Sequence, residues 1–209
     1  MNRISCLPHR SPRGGCPPRR RRSGCPPRDA ASVESYAAIV RDFIVNHRKA
    51  AADDLAFYSR SPLDVAVLSR MEGDLRHSHQ RRIPQAALEM ARDRLRENMP
   101  LPTHVRDFGS LLSFVDSAIR PIRKIGELAV YDTAHRIGAK NGIVPDRIYL
   151  HAGTRLGAAA LGLRGKSIAV DELPPAFHRL TAAECEDCLC IYREDLRRIA
   201  DRQPARVAS

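Results

Sequence analysis

The feature that most constrains this chain is a stripe of apolar residues at helical period: Val105, Phe108, Leu111, Leu112, Val115 and Ile119. Recurrence every three and four residues puts all six on one face of an α-helix and scatters them across both faces of a strand. The same period opens at Val33 and runs through Tyr36, Ala37, Val40 and Ile44, with Ser32 as expected N-cap. Further helices are expected over 50–58, after Ser61 with Pro62 at the first helical position, and after Pro84, where Ala87, Leu88, Ala91 and Leu95 share a face until Pro100 and Pro102. Pro121 stops the 105–119 helix. Others are expected over 127–140, closed by Gly142, and over 154–161, closed by Gly162. Thr181 and Glu184 form a capping box, opening a last helix with Cys185, Cys188, Leu189, Tyr192, Leu196 and Ile199 on one side. Strand signals are confined to 148–150 and 167–170. The expected fold is all-α, a single multi-helical globular domain of about eight helices.

Apolar residues make up 43% of the chain, aromatics 5%, and Trp is absent, so aliphatic and Ala packing must fill the core. The net charge of +11 is unevenly placed. Residues 1–31 hold eight Arg against one acid, Asp29, so seven of the eleven net charges lie there. That stretch is Pro, Arg, Gly, Ser and Cys, with a loose Cys-Pro repeat at Cys6, Cys16 and Cys25. It offers little apolar surface to bury, which implies a disordered arm. The expected organisation is an arm over 1–31, a helical domain over 32–202 and a flexible tail over 203–209. Cys185, Cys188 and Cys190 form the second cysteine group, and the long cysteine-free interval between the groups argues against a disulfide framework and for a reducing cytoplasm. No run of eighteen apolar residues is present, so no membrane partner is expected.

The densest polar segment spans 119–163. Its first part is a helix end, a tight turn Arg123-Lys124-Ile125-Gly126, and a second helix. Ile122 and Ile125 would pin the two helices, while backbone N–H groups at Gly126 and the cations Arg123 and Lys124 would meet a phosphate. This arrangement resembles the helix-hairpin-helix motif, and the order turn, helix, Pro-containing connector, helix resembles the centre of the helix-hairpin-helix DNA glycosylase superfamily over about 45 residues. The resemblance implies a helical DNA-binding protein. It does not transfer the enzyme. Lys124 stands where the first Gly of the motif belongs, and Leu128 where bifunctional members place a nucleophilic Lys. Leu150-His151-Ala152-Gly153 replaces the stretch that carries the catalytic Asp, leaving Asp132 and Asp146 as the nearest acids. The wider block, with Tyr131-Asp132 and His151-Ala-Gly-Thr-Arg155, also resembles small bacterial helical proteins, which implies a shared fold and no activity.

His151, Thr154 and Arg155 bring an imidazole, a hydroxyl and a guanidinium to one helix start, a combination suited to an anion. Thr154 is the expected N-cap, and Gly153 and Gly157 allow close backbone approach. Asp132 and His135, three apart, share a helix face near Tyr131 and come within reach of His151 or Arg155 if the helices pack. The alternative is a buried polar network that holds two helices together. His77-x-His79 lacks a third ligand and reads as a solvated turn. Cys185 and Cys188 read as core. Residues 162–167 lack the first Gly of a phosphate loop. No metal, cofactor or catalytic residue is assigned. Three functions remain open: DNA or other phosphate-ligand binding through Arg123, Lys124, Gly126, His151, Thr154 and Arg155; a glycosylase-like repair enzyme with a replaced active site; and a helical interaction module.

Overall fold

The computed structural model describes residues 34–202. The expected arm (1–31), its Cys-Pro repeat, the Ser32 cap and the tail (203–209) lie outside the described residues.

Among these, the all-α expectation holds. The described residues form nine α-helices: α1 (Tyr36–Asn46), α2 (Arg48–Arg60), α3 (Leu63–Val67), α4 (Gln85–Glu97), α5 (Phe108–Ile119), α6 (Glu127–Asn141), α7 (Ala152–Ala160), α8 (Ala182–Ile191) and α9 (Arg193–Arg202). The two weak strand signals become β1 (Ile148–Tyr149) and β2 (Ser167–Ile168), an antiparallel pair with Ile148 opposite Ile168. No helix among the described residues is long and apolar enough to cross a membrane.

Local chemistry sets the boundaries. Ser35 caps α1 by accepting from the Ala38 amide at 3.2 Å. Asp107 and Ser110 form a reciprocal capping box that starts α5, leaving Val105 buried in the preceding turn. Gly142 ends α6 in the left-handed conformation, φ +68°. The Thr181–Glu184 capping box starts α8 as expected.

Three expectations shift. The helix expected from Thr154 begins at Ala152, so His151 occupies the N-cap and Thr154 lies inside the first turn. Pro62 stands at the N-cap of α3 instead of its first helical position. The last helix is two: Tyr192 breaks it with φ −102° and ψ 16°, and Tyr192 donates a hydrogen bond to Asp42 on α1. The break turns Leu196 and Ile199 onto the same core as Cys185 and Leu189.

The apolar interior falls into two clusters. The first gathers Tyr58, Leu88, Leu95, Phe108, Leu111 and Ile137, from α2 through α6. The second gathers Ile39, Phe43, Ile148, Phe177, Leu189 and Tyr192, from α1, the strand pair and the C-terminal helices. Helix α6 packs on α2, α3 and α5, and α7 packs on α8 and α9. Close approach of α7 to α8 depends on two glycines. A Cβ at Gly157 would fall 2.2 Å from the Leu189 carbonyl oxygen, and one at Gly153 would fall 2.5 Å from Cys190 Sγ. Cys185 and Cys188 are fully buried in the second cluster, as core packing requires.

Candidate functional site

The residues singled out in the sequence divide into two groups. Arg123, Lys124, Gly126 and Arg155 lie at the surface around the α5–α6 turn. His151 and Thr154 lie inside, beside Tyr131, Asp132 and His135.

At the surface, Ile122 and Ile125 are buried and anchor the turn between α5 and α6. Arg123 and Lys124 project from it, exposed. Lys124 takes φ +78°, a left-handed conformation uncommon for any residue but Gly. Gly126 is the N-cap of α6 and offers no side chain, so the first amides of that helix lack a side-chain partner. Glu127 follows in the first turn, where its charge favours the helix dipole. Arg155 Nη2 donates to Glu127 Oε2 at 3.0 Å and to the Leu150 carbonyl at 2.7 Å. Arg120 lies 3.9 Å from the same carboxylate and 3.8 Å from Asp116. Arg155 is therefore paired at the half-exposed surface with Glu127 and not with Asp132 in the interior.

Asp132 instead accepts from Gln80 Nε2 at 2.9 Å and pairs with Arg136 at 3.5 Å. Arg136 donates to Ser69 Oγ at 2.8 Å and lies over the Tyr58 ring, 5.0 Å from its centroid. His151 does not meet Asp132 either. Its Nε2 lies 2.7 Å from Glu186 Oε1, and Thr154 Oγ1 donates to the same oxygen at 2.5 Å. The Tyr131 ring packs 5.1 Å from the His151 ring and 5.7 Å from the His135 ring. Tyr131 belongs to the first apolar cluster, and the elements carrying His151 and Glu186 supply the second, so this polar seam runs where the two cores meet. Asp146, the other acid considered for a glycosylase-like role, is exposed on the connector between α6 and β1.

The seam opens into a cavity of about 670 Å³ lined by α2, the 71–79 loop, α6 and α8. Tyr131, Asp132, His135 and Glu186 face it, joined by Asp54, His77, His79 and Asp187. The histidines of the 77–79 pair are thus cavity residues and not merely a solvated turn; their rings lie 5.4 Å apart, and His77 Nε2 is 3.6 Å from Asp54. Burial, then the carboxylates of Glu186, Asp132, Glu184 and Asp54, push Asp187 up to about 8. Burial lowers the His135 pKa, and burial plus nearby carboxylates holds Tyr131 well above the usual phenol range. Among the described residues no group of three His, Cys, Asp or Glu is disposed to hold a metal ion.

Comparison with protein-family models, curated proteins and solved structures found no match.

Sequence reasoning passed over Glu186, Asp187, Asp54, Gln80 and Arg136. One signal was available for Glu186: it sits between Cys185 and Cys188 on a helix whose neighbours are core, yet it is a carboxylate. Asp54 and Gln80 gave none, because their approach to α6 depends on how α2 and the 71–80 loop fold back on it.

Proposed function

We propose that this is a cytoplasmic, non-catalytic DNA-binding protein that engages the phosphate backbone through the α5–α6 turn. The observation that carries the reading is the backbone of that turn. Lys124 holds the left-handed conformation at the position where the helix-hairpin-helix pattern has its first Gly, which supports the reading. The uncapped amides of α6 and the unneutralised cations of Arg123 and Lys124 then lie on one exposed surface. Glu127 would oppose a phosphate there, and Arg120 and Arg155 offset it. His151 and Thr154 take no part in this surface; both are buried behind it. The arrangement of cysteines in two separated groups goes with a reducing compartment.

The test is a salt titration of duplex DNA binding by the full chain. Arg123→Glu/Lys124→Glu should weaken binding at least about tenfold and lower the slope of log K against log salt by about two contacts. Unchanged affinity in this variant would assign any binding to residues elsewhere, the basic 1–31 segment first, and end the reading.

A further inference from the structure

The cavity between α2, the 71–79 loop, α6 and α8 has a chemistry opposite to that of the turn. Seven carboxylates line it against two guanidiniums, Arg48 and Arg136. Both guanidiniums are occupied: Arg48 is held by Glu184 at 2.6 Å and Arg136 by Asp132 and Ser69. Phosphate is excluded from such a space by charge. Ala50, Ala51, Phe57 and Met71 give one side an apolar character. The volume suits a small molecule.

Among the residues lining it, the Tyr131 hydroxyl and His77 Nδ1 are buried without a hydrogen-bond partner, and the Asp187 carboxylate is unpaired. The Tyr131 hydroxyl is buried, with the residue 3% exposed, and has no hydrogen-bond partner. Orphaned buried hydroxyls are uncommon and costly. Burial first, then the charges of Glu186, Asp187 and Asp132, hold the Tyr131 pKa well above the usual phenol range. The Asp187 carboxylate makes no hydrogen bond or ion pair, although those of its neighbours Glu186 and Asp132 each make two. Glu186 is held in place from behind by His151 and Thr154. The result is an acceptor-rich wall, carried on two helices.

We propose that this cavity binds a small organic cation, a primary amine or guanidine with an aliphatic body, whose N–H groups are received by Asp187, Glu186 and the Tyr131 hydroxyl. An ammonium or guanidinium supplies several N–H donors and no acceptor. A bare metal ion is a poorer occupant, since the carboxylates and imidazoles are not grouped as ligands. The proposal is independent of the DNA reading, for it uses none of the turn residues.

Binding is linked to protons. Asp187 is protonated more readily than a free carboxyl because it is desolvated by burial, and then because Glu186, Asp132, Glu184 and Asp54 crowd it. An entering cation reverses that penalty, so Asp187 ionises and releases a proton. His47, His77, His79, His135, Arg48 and Arg136 line the same cavity.

The experiment is isothermal titration calorimetry of the full chain with spermidine and with agmatine, in buffers of different ionisation enthalpy, from pH 6.5 to 8.5. Saturable binding that strengthens with pH and releases a proton is expected. Asp187→Asn should abolish that release, which separates Asp187 from the histidines, and should weaken binding about tenfold, the loss of one charge-assisted hydrogen bond. Tyr131→Phe should weaken it by a similar factor. Melting curves on both variants establish that they are folded, and Asp171→Asn, an exposed acid far from the wall, should bind as wild type. No saturation at millimolar spermidine and agmatine would overturn the proposal. So would equal weakening by Asp171→Asn, or binding of an oligolysine peptide with neither small amine bound.

Discussion

Asp187 and His135 face one cavity and pull the pH dependence of stability in opposite directions. The folded-state pKa of Asp187 is about 8 against an ordinary 3.8. Between those values the native state holds more protons than the unfolded chain, so stability falls as pH rises through that window. His135 is the reverse case. Burial lowers its pKa below the ordinary 6.5, so the native state holds fewer protons and stability falls as pH drops through and below that value. Asp187→Asn should therefore raise the melting temperature at pH 8, by an amount equivalent to at least about 1.4 kcal/mol, one pKa unit. It should also flatten the decline between pH 4 and 8. Denaturant unfolding across that range checks both; a variant less stable than wild type at pH 8 would mean the carboxylate is held by a favourable contact. Glu127 allows a second residue-level expectation. Its pair with Arg155 is half exposed, so Glu127→Gln should change stability by less than about 1 kcal/mol. If the turn binds phosphate, the same change should tighten DNA binding, because it removes the one acid beside the α6 amides. Weaker binding would place Glu127 in a supporting role instead.

At the scale of elements, the packing of α7 on α8 is a matter of missing atoms. Gly→Ala inside a helix ordinarily gains about 1 kcal/mol from propensity. At Gly157 that gain is outweighed, since the new Cβ would meet the Leu189 backbone at 2.2 Å and neither helix can yield locally. Gly157→Ala should cost about 2–3 kcal/mol by thermal or denaturant unfolding. Gly153→Ala should cost less, because its Cβ meets the Cys190 side chain, which can rotate away. Equal effects at the two sites would show that α7 shifts as a body. These elements also show what could be read beforehand. Helices with a clean stripe and a cap, such as α5 and α8, were legible because local chemistry alone sets them. The start of α7 was misplaced by two residues because Thr154, a good cap by type, is drawn inward by Glu186. The break at Tyr192 carries no Gly or Pro. It follows from the tertiary tie between Tyr192 and Asp42, which no local pattern announces.

At the scale of the molecule, two apolar cores meet along a polar seam, and the seam decides whether they act as one. Tyr131, Asp132, His135, His151 and Thr154 were recognisable as a concentration of polar groups in the sequence. Their partners were not, because Glu186, Gln80 and Asp54 come from segments far along the chain. Thr154 Oγ1 and His151 Nε2 both converge on Glu186, a carboxylate only 6% exposed. Thr154→Val removes one of those donors at nearly constant volume and should destabilise by about 1–3 kcal/mol, the cost of a buried acceptor left short of partners. Glu186→Gln loses the charge but keeps an acceptor of the same shape, so in combination with Thr154→Val the two effects should fall short of adding. Native-state amide exchange then measures how far the damage spreads. If the seam couples the cores, protection in α6 and in α8 should fall together in Thr154→Val, since Tyr131 on α6 packs on the His151 ring that shares Glu186. Loss confined to α7 and α8, with α6 as protected as in wild type, would mean that the first core stands without the seam and that the cavity wall is supported from one side only.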